Sequence, residues 1–391
     1  MDPGNLWVAP APAELTGLLL ATDPIANLAR LIAAQIPFKR LSPYQTGGGL
    51  SREAMFFGRS QELAHILNRE LTNYLVVGGR QIGKTTLLKA LERRYQDKPQ
   101  ITCHYLVLSD AQLIERLART LGLPPTTDLD GILSYMAGET HGGARVLLID
   151  EADLFIRAEC EQNYPTLRRL RALSEEGRCY FILAGFWELY AAAVLDYQSP
   201  LKNFGEVLPL GALEAAACRD LATQPIATMN LHYRSEDLVE RLITATGQRA
   251  NLISIACNQI LQSLTLHDRV IEAEVVERAL DSNAIRQALT GWETLDTEDS
   301  AGSQRDRMIV YATIERDAFT QPELLRMLDA LGYSATPEQV QRSLERLQLA
   351  YVIQREKEQY RYCVPLFRDW VLAREPQDLL RRELATGGLL A

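Results

Sequence analysis

The chain has 391 residues, of which 47% are hydrophobic and 23% charged, and its formal net charge is −9 at pH 7. This length predicts about two or three domains rather than one small core, and the ordinary globular composition excludes wholesale disorder. The acidic balance argues against a protein that coats nucleic acid with its whole surface, while a local basic face stays compatible with it.

The six cysteines are scattered and form no C-x-x-C pair, which predicts buried free thiols in a reducing compartment. No run of the sequence reaches the ~18 apolar residues that a membrane span needs. The N-terminus also lacks the basic start of a secretory signal. A soluble cytoplasmic protein with no membrane partner is therefore expected.

The N-terminal segment, residues 1–42, contains apolar stretches separated by prolines. Leu15 to Leu20 and Ile25 to Ile36 have the spacing of amphipathic helices. Two interpretations stay open: these helices pack on the parent domain, or they dock to a separate protein partner. A turn-rich segment with Gly47 to Gly49 follows, and then a helix is predicted from Ser60, a candidate N-cap, to Leu71.

A parallel α/β domain is predicted over residues 43–210. Its short and nearly continuous apolar runs are typical of strands that are buried on both faces, and helical segments separate them. The predicted strands are Tyr74 to Gly78, Ile101 to Leu108, Arg145 to Asp150 and Cys179 to Gly185.

Beyond Leu210 the strands are expected to stop, and residues 211–296 are predicted to form a helical lid. A polar linker, Asp296 to Gln304, marks a domain boundary. Residues 303–374 then suggest three helices and a hairpin, the pattern of a winged helix, and residues 375–391 are left as a C-terminal tail. The fold class predicted is thus α/β: a parallel-sheet domain, followed by an α-helical lid and a C-terminal winged-helix domain.

A complete phosphate-binding motif, Gly78-x-x-x-x-Gly83-Lys84-Thr85, separates the first predicted strand from a helix. The glycines allow a tight turn whose backbone N–H groups face a phosphate, and the helix N-terminus adds partial positive charge. Lys84 is expected to reach the β- and γ-phosphates, and the Thr85 hydroxyl to bind Mg²⁺. Arg80 has two open roles, phosphate contact or pairing with an acid from another domain. The predicted nucleotide-binding residues of this loop are Gly78, Gly79, Arg80, Gln81, Ile82, Gly83, Lys84, Thr85 and Thr86.

An apolar strand that ends in Asp150-Glu151 supplies the acidic half of the site. Carboxylates at the carboxyl end of a strand lie where α/β sheets gather their ligands. Asp150 is expected to hold Mg²⁺ through water, with Thr85 as the other ligand, and Glu151 to orient or deprotonate the attacking water. The predicted catalytic residues are therefore Lys84, Asp150 and Glu151, and the predicted cofactors are ATP and Mg²⁺.

The following strand is expected beside the Asp150 strand or the phosphate-loop strand. It ends in Gly185-Phe186-Trp187, without the Asn, Thr or Ser that often senses the γ-phosphate. Either the backbone senses nucleotide or hydrolysis is slow. The preceding helix carries Arg168, Arg169 and Arg171, which either donate an arginine to a neighbouring subunit's γ-phosphate or form a solvated basic face.

With these motifs in view, the chain resembles the AAA+-related P-loop ATPases of the STAND class, near the origin-recognition ATPases, from about Pro43 to Leu372. The motifs that carry the resemblance are MFFGR, VVGGRQIGKTTLL, LLIDEAD, SPLKNFGEVLPLGAL, ATGQRANLISIACNQIL and YRYCVPLFRDWVL. The resemblance implies that Phe57 and Arg59 lie beside the adenine, that the lid closes over the nucleotide, and that the winged helix packs on or near it. In the lid motif, Ala250 stands where such proteins usually have proline.

STAND proteins commonly join the ATPase to an effector and to a repeat array, and this chain shows neither. The resemblance therefore implies a homo-oligomeric ATP-dependent switch that engages a protein partner or effector in trans, in a microbial defence or stress response. The alternative is an ATP-dependent DNA-binding protein of the replication-initiator or transposition-regulator type. Its recognition helix would present Gln339, Arg342 and Arg346, but basic and acidic residues are equal in number from Ser303 onward. A motor is disfavoured because no aromatic or basic pore loop is recognisable.

Overall fold

The computed structural model describes residues 10–35, 38–44, 53–138, 143–265, 267–296 and 299–387. The chain forms two compact units, each assembled from separate stretches of sequence. One comprises Gly48–Gly211, Trp292–Cys363 and Glu375–Ala391, and is called the ATPase unit below. The other comprises Met1–Gly47, Ala212–Gly291 and Val364–Arg374, and is called the helical unit. The domain boundaries expected from sequence stay a prediction.

The strands are β1 (Tyr74–Val77), β2 (Ile101–Val107), β3 (Ala144–Asp150), β4 (Cys179–Gly185), β5 (Glu206–Pro209), β6 (His232–Tyr233), β7 (Val270–Ile271), β8 (Ile353–Glu356) and β9 (Gln359–Tyr362). The helices are α1 (Pro12–Leu19), α2 (Pro24–Gln35), α3 (Phe38–Leu41), α4 (Ser60–Leu67), α5 (Lys84–Gln96), α6 (Leu113–Thr120), α7 (Leu129–Ala137), α8 (Asp153–Glu161), α9 (Pro165–Glu175), α10 (Trp187–Tyr190), α11 (Ala215–Ala227), α12 (Glu236–Ala245), α13 (Ala250–Ser263), α14 (Ala273–Leu280), α15 (Asn283–Leu289), α16 (Ser300–Thr313), α17 (Gln321–Ala330), α18 (Pro337–Leu349), α19 (Pro365–Leu372) and α20 (Pro376–Gly387).

A five-stranded parallel sheet in the order β2-β3-β4-β1-β5 forms the centre of the ATPase unit. Every residue of β1 is buried, and so is nearly all of β3 and β4, because helices cover both faces. The four strands predicted from apolar runs are present. The sequence did not indicate the fifth, because β5 is a short edge strand with a charged start, a proline end and no fully buried residue.

Two apolar clusters lie on opposite faces of this sheet. One packs α5 against side chains such as Val76 and Leu148, and the other packs α6, α8 and α9 against Leu75 and Leu147. Alternate residues of the same strand therefore enter different clusters, as the period of a strand requires. The parallel sheet with helices on both faces confirms the predicted fold class of a P-loop α/β domain.

The C-terminal part of the ATPase unit contains α16, α17 and α18, followed by the β8–β9 hairpin. These are the three helices and the hairpin that the sequence predicted. Their interpretation as a winged helix stays a prediction. The prediction of a polar linker from Asp296 to Gln304 was wrong in part, since α16 already begins at Ser300 and Asp296 is buried. The segment left as a tail contains α20, which packs on α16 through an Arg307–Glu383 ion pair.

The helical unit consists of α1–α3, α11–α15 and α19, with a short parallel pair formed by β6 and β7. That pair corrects the expectation that strands stop beyond Leu210; its strands are too short for a periodic signal. In the N-terminal segment, α1 buries none of its residues, and Leu19 and Ile25 are 85% and 80% exposed. The glycine run Gly47 to Gly49 lies outside the described residues.

Cys179, Cys218 and Cys257 are buried and reduced, as the sequence predicted, whereas Cys160 is exposed. Within the described ranges, no helix combines the length and the apolar character that a bilayer span requires.

Candidate nucleotide-binding site

The three predicted site segments meet at one edge of the sheet. Strand β4 pairs with β3 on one side and with β1 on the other, so the sequence expectation that it adjoins one of them holds for both. The phosphate loop follows β1, the acidic pair ends β3, and Gly185 ends β4. Because parallel strands end together, these segments share the carboxyl edge where α/β sheets bind ligands.

The loop from Gly78 to Gly83 reverses the chain before α5 begins. Gly78 N–H donates to Gly185 O at 3.2 Å, which ties the loop to the end of β4. Gln81 and Gly83 adopt left-handed conformations, with φ of 59° and 105°. Gly83 tolerates this φ because it lacks a Cβ. The N-terminus of α5 thus follows directly on the turn, as an anion-binding loop requires.

Lys84 is buried, and its ammonium donates to the backbone carbonyls of the loop itself. The Nζ atom lies 2.7 Å from Gly78 O and 2.9 Å from Gly79 O. Burial lowers the pKa of Lys84, against the opposing effect of the nearby carboxylates, chiefly Glu151. The side chain therefore lies along the inside of the loop, where a triphosphate would restore a full countercharge.

Asp150 is 1% exposed, and both of its carboxylate oxygens accept hydrogen bonds. The Tyr105 hydroxyl donates to Oδ2 at 2.9 Å, and the Glu151 N–H donates to Oδ1 at 3.0 Å. Each carboxylate oxygen has a second lone pair that can accept a further bond. The side chain is therefore fixed in one orientation at the end of β3 and still has capacity to bind a cation.

Glu151, predicted to orient or deprotonate the attacking water, is exposed and has a φ of 56°. A residue other than glycine seldom adopts the left-handed region, and such strain concentrates at functional sites. The next residue is held by a bond from Ala152 N–H to Ala184 O at 2.9 Å. The backbone that follows Glu151 is therefore fixed to the end of β4.

Asp153 is a residue of this site that the sequence reasoning missed. One carboxylate oxygen accepts from Phe186 N–H at 2.7 Å, and the other accepts from Glu188 N–H at 3.0 Å and Leu189 N–H at 3.2 Å. It therefore caps the first turn of α10 and joins the acidic segment to the end of β4. In the sequence, only the position of Asp153 three residues after Asp150 indicated a place near the site. The structure shows from which N–H groups its carboxylate accepts hydrogen bonds.

The Phe57-Gly58-Arg59 turn adjoins the phosphate loop. Arg59 is buried with φ of 57° and donates to Ile82 O at 3.1 Å and to Gly211 O at 2.7 Å. Phe57 is half-buried. Arg59 therefore stabilises the phosphate loop through a hydrogen bond to its backbone. The expected positions of Phe57 and Arg59 beside the adenine stay predictions. Arg59 rather than Ser60 precedes α4 as its N-cap residue, because its left-handed backbone turns the chain.

The remaining predicted loop residues differ in their exposure. Ile82 is buried, Thr85 and Thr86 are half-buried in the first turn of α5, and Arg80 and Gln81 are exposed. Their roles toward nucleotide stay predictions.

The arginines of α9 are engaged within the ATPase unit. Arg168 donates to Asn163, Arg169 pairs with Asp130, and Arg171 donates to Pro200 O at 3.0 Å. Arg168 and Arg171 also line an open cleft of about 520 Å³ with Lys202 and Tyr197. Both sequence interpretations of these arginines therefore stay open.

The C-terminal end of α18 contacts the phosphate loop, which the sequence did not indicate. Gly79 N–H donates to Leu349 O at 2.7 Å. A Cβ placed on Gly79 would lie 2.8 Å from Ala350 Cα, so glycine is needed here for close approach. Leu349 and Tyr351 pack into the two apolar clusters on either face of the sheet. The helix end is therefore part of the ATPase core.

Arg346 of α18 is buried in a cluster of acids rather than facing solvent. It is 1% exposed and forms two bonds with Asp306, at 2.6 Å and 3.3 Å. Its guanidinium also lies 5.0 Å from the ring centroid of Trp187, which follows β4. The expectation that Arg346 is presented to DNA was therefore wrong, because a buried arginine needs its countercharge inside the protein.

Residues 69–191 match the sequence profile of the AAA domain family. The Walker-type ATPase PABY2304 of Pyrococcus abyssi is similar in structure, with a TM-score of 0.63 and 17% identity, over 83% of this chain and 98% of that one. The ORC2 protein of Aeropyrum pernix, solved as ADPNP–ADP complexes, has a TM-score of 0.53 and 16% identity, over 85% and 98%. At these identities the likeness shows the fold alone. No curated protein matches the sequence.

Proposed function

Since residues 69–191 form an AAA-type P-loop ATPase domain, we propose that the chain is an ATP-dependent switch that hydrolyses ATP slowly. Its nucleotide state controls self-assembly and the engagement of a protein partner in trans. The observation that carries this proposal is the contact between the phosphate loop and α18, through Gly79 N–H and Leu349 O at 2.7 Å.

Through this contact, a nucleotide bound at the phosphate loop can influence the position of α18. The last carbonyls of a helix carry partial negative charge and lack intrahelical partners. Gly79 N–H satisfies one of them, at Leu349. A bound triphosphate would bring negative charge to the same loop and would oppose the carbonyl end of α18. Nucleotide binding and docking of α18 are therefore coupled.

An ion network extends the coupling to the other site segments. Arg346 lies 3.5 Å from both Asp296 and Asp299, and Asp296 lies 3.6 Å from Arg157. Arg157 in turn pairs with Glu188 of α10 at 2.8 Å. Burial raises the pKa of Glu188, although Arg157 lowers it. The end of β4 and the start of α16 are thus held by shared charges.

The energies are sufficient for a switch. Moving a two-state equilibrium from 1:99 to 99:1 requires about 5.5 kcal/mol of differential binding. Charge-assisted hydrogen bonds to the γ-phosphate contribute roughly 1.5–3 kcal/mol each. A neutral bond such as the one between Gly79 and Leu349 contributes about 1 kcal/mol. A few phosphate contacts therefore outweigh it.

The residues present fit Mg²⁺. Thr85 and Asp150 offer hard oxygen ligands at adjoining ends of α5 and β3, and Mg²⁺ bound with a nucleotide needs only one or two protein ligands. No group of three or more His, Cys, Asp or Glu in the described parts of the chain suggests a different metal centre. When bound, Mg²⁺ neutralises charge on the phosphates. Lys84 would then hold the phosphates, and Glu151 would orient the water.

Mass photometry of the Glu151→Gln variant tests the proposal. The protein is measured with ATP–Mg²⁺ and with ADP, each with and without duplex DNA. Assembly with ATP alone supports the switch, while a constant monomer mass in all conditions contradicts it. The Lys84→Ala variant is the matched control, because it should not assemble with any nucleotide.

Exposed basic residues favour one alternative, an ATP-dependent DNA-binding protein of the replication-initiator type. Arg342 on α18 and Arg355, Lys357 and Arg361 of the hairpin are exposed, and the fold likeness to ORC2 covers most of the chain. Acidic neighbours reduce the positive charge of this surface, since Arg361 lies 3.5 Å from Glu356. Assembly only when DNA is present would support this alternative. An Arg355→Ala/Lys357→Ala variant should then bind DNA more weakly and with a smaller salt dependence.

A further inference from the structure

Tyr105, on β2, reaches the acidic end of the neighbouring strand. It pairs in register with Leu148, two residues before Asp150, so Tyr105 and Asp150 point to the same face of the sheet. That face is covered by α5, the helix that begins at the phosphate loop. The hydroxyl donates to Asp150 Oδ2 at 2.9 Å.

A lysine of α5 contacts the other side of the tyrosine. The Lys89 ammonium lies 3.4 Å from the centre of the Tyr105 ring and 3.2 Å from Glu92. A cation over an aromatic face is attracted to the ring. Lys89 is one helical turn after Thr85, on the same side of α5. Tyr105 is therefore held between the helix that carries Thr85 and the strand that carries Asp150.

The hydroxyl can act only as a donor toward Asp150. An ionised carboxylate only accepts hydrogen bonds, so the phenol supplies the proton of this bond. A hydrogen bond to a charged acceptor is shorter and stronger than one between neutral groups. Glu151 N–H holds the opposite oxygen at 3.0 Å. Loss of the hydroxyl would leave Asp150 held at one oxygen only.

We propose that Tyr105 is a positioning residue for metal binding: it fixes the orientation of Asp150, which would hold the nucleotide-bound Mg²⁺. This inference rests on the proposed function, because it assigns the metal to Asp150. Tyr105 itself does not contact the metal. Partners that orient a metal ligand in this way typically change metal affinity by 10–100-fold when they are removed.

The Tyr105→Phe variant separates positioning from packing, because it keeps the ring under Lys89 and removes only the hydroxyl. Tyr95→Phe is the matched control. It removes a hydroxyl from a buried tyrosine of the same apolar cluster. Melting temperatures of both variants verify that the core is intact. Lys89→Met should produce a smaller change in the same direction.

Metal binding is read directly by electron paramagnetic resonance of Mn²⁺ in the presence of a non-hydrolysable ATP analogue. We expect Tyr105→Phe to weaken Mn²⁺ binding about 10-fold, and Tyr95→Phe to leave it unchanged. Analogue binding in EDTA should be equal in all three proteins. In ATPase assays, Tyr105→Phe should raise the half-saturating Mg²⁺ concentration while kcat at saturating Mg²⁺ returns close to the wild-type value.

Equal Mn²⁺ affinity of Tyr105→Phe and wild type would overturn the positioning role, whatever happens to kcat. A different result would contradict the proposed function itself. If the wild-type protein binds the analogue in EDTA but binds no Mn²⁺, the assignment of the metal to Asp150 is wrong. A loss of analogue binding in EDTA by Tyr105→Phe would also overturn the inference, because the tyrosine would then support the loop rather than the metal.

Discussion

Gly79→Ala is predicted to release α18 from the phosphate loop while leaving the nucleotide motif complete. Position 79 is a variable position of the Gly-x-x-x-x-Gly-Lys-Thr motif, and its backbone is outside the left-handed region. Alanine is therefore compatible with the loop itself. Its Cβ would nevertheless lie 2.8 Å from Ala350 Cα and 3.3 Å from Ala350 O.

The size of the effect follows from these distances. Carbon atoms in contact lie about 3.5–4.0 Å apart, so the end of α18 must move by roughly 1 Å. Overpacking of this kind costs about 1–3 kcal/mol. The bond between Gly79 and Leu349 contributes about 1 kcal/mol more. A total of roughly 2–4 kcal/mol corresponds to a shift of about 30- to 1,000-fold in the docking equilibrium.

Hydrogen–deuterium exchange measures this equilibrium segment by segment. Gly79→Ala should lose protection across residues 347–353, keep it in β1 and β3, and bind ADP about as well as wild type. If the docked helix restrains the protein, mass photometry should also show assembly at lower ATP concentrations. Gly291→Ala is the control, since a Cβ added there would meet no heavy atom within 4 Å and the φ of this glycine is ordinary. Unchanged protection of residues 347–353 in Gly79→Ala would refute the coupling between loop and helix.

Three further substitutions test the remaining parts of the site. Lys84→Ala should abolish the rise in melting temperature that ATP causes, and an unchanged rise would remove the phosphate-loop assignment. Arg346→Met should destabilise the ATPase unit by about 3–5 kcal/mol in urea unfolding, because it leaves Asp306 buried without its main countercharge. Adding Asp306→Asn should recover part of this loss of stability. If the two substitutions instead destabilise additively, the pairing of Arg346 with Asp306 is contradicted. Asp153→Ala should lower stability by about 0.5–2 kcal/mol through loss of the α10 cap and should slow hydrolysis with nucleotide binding retained. Asp153→Asn keeps an acceptor and should lie closer to wild type, so equal effects of the two substitutions would argue against the capping role.

The sequence by itself determined the ATPase core. The apolar runs that became β1 to β4, and the glycine spacing around Lys84, are local patterns with direct physical meanings. A strand buried on both faces needs a continuous apolar run, and a phosphate loop needs glycine at fixed positions. The boundaries of α17 and α18 were also predictable, because Thr320 and Thr336 cap them with Glu323 and Gln339 three residues later.

Only the tertiary structure decided which distant residues meet. Tyr105 and Asp150 are brought together by the pairing of β2 with β3, and Gly79 and Leu349 by the packing of α18 on the sheet edge. Arg346 illustrates the same limit: the sequence placed it on a candidate DNA-recognition helix, whereas in the structure it is buried against Asp306. Local sequence fixes the period of a helix or strand. Contacts between segments far apart in sequence depend on the burial of many side chains, each of which contributes little free energy. No single sequence motif therefore predicts them.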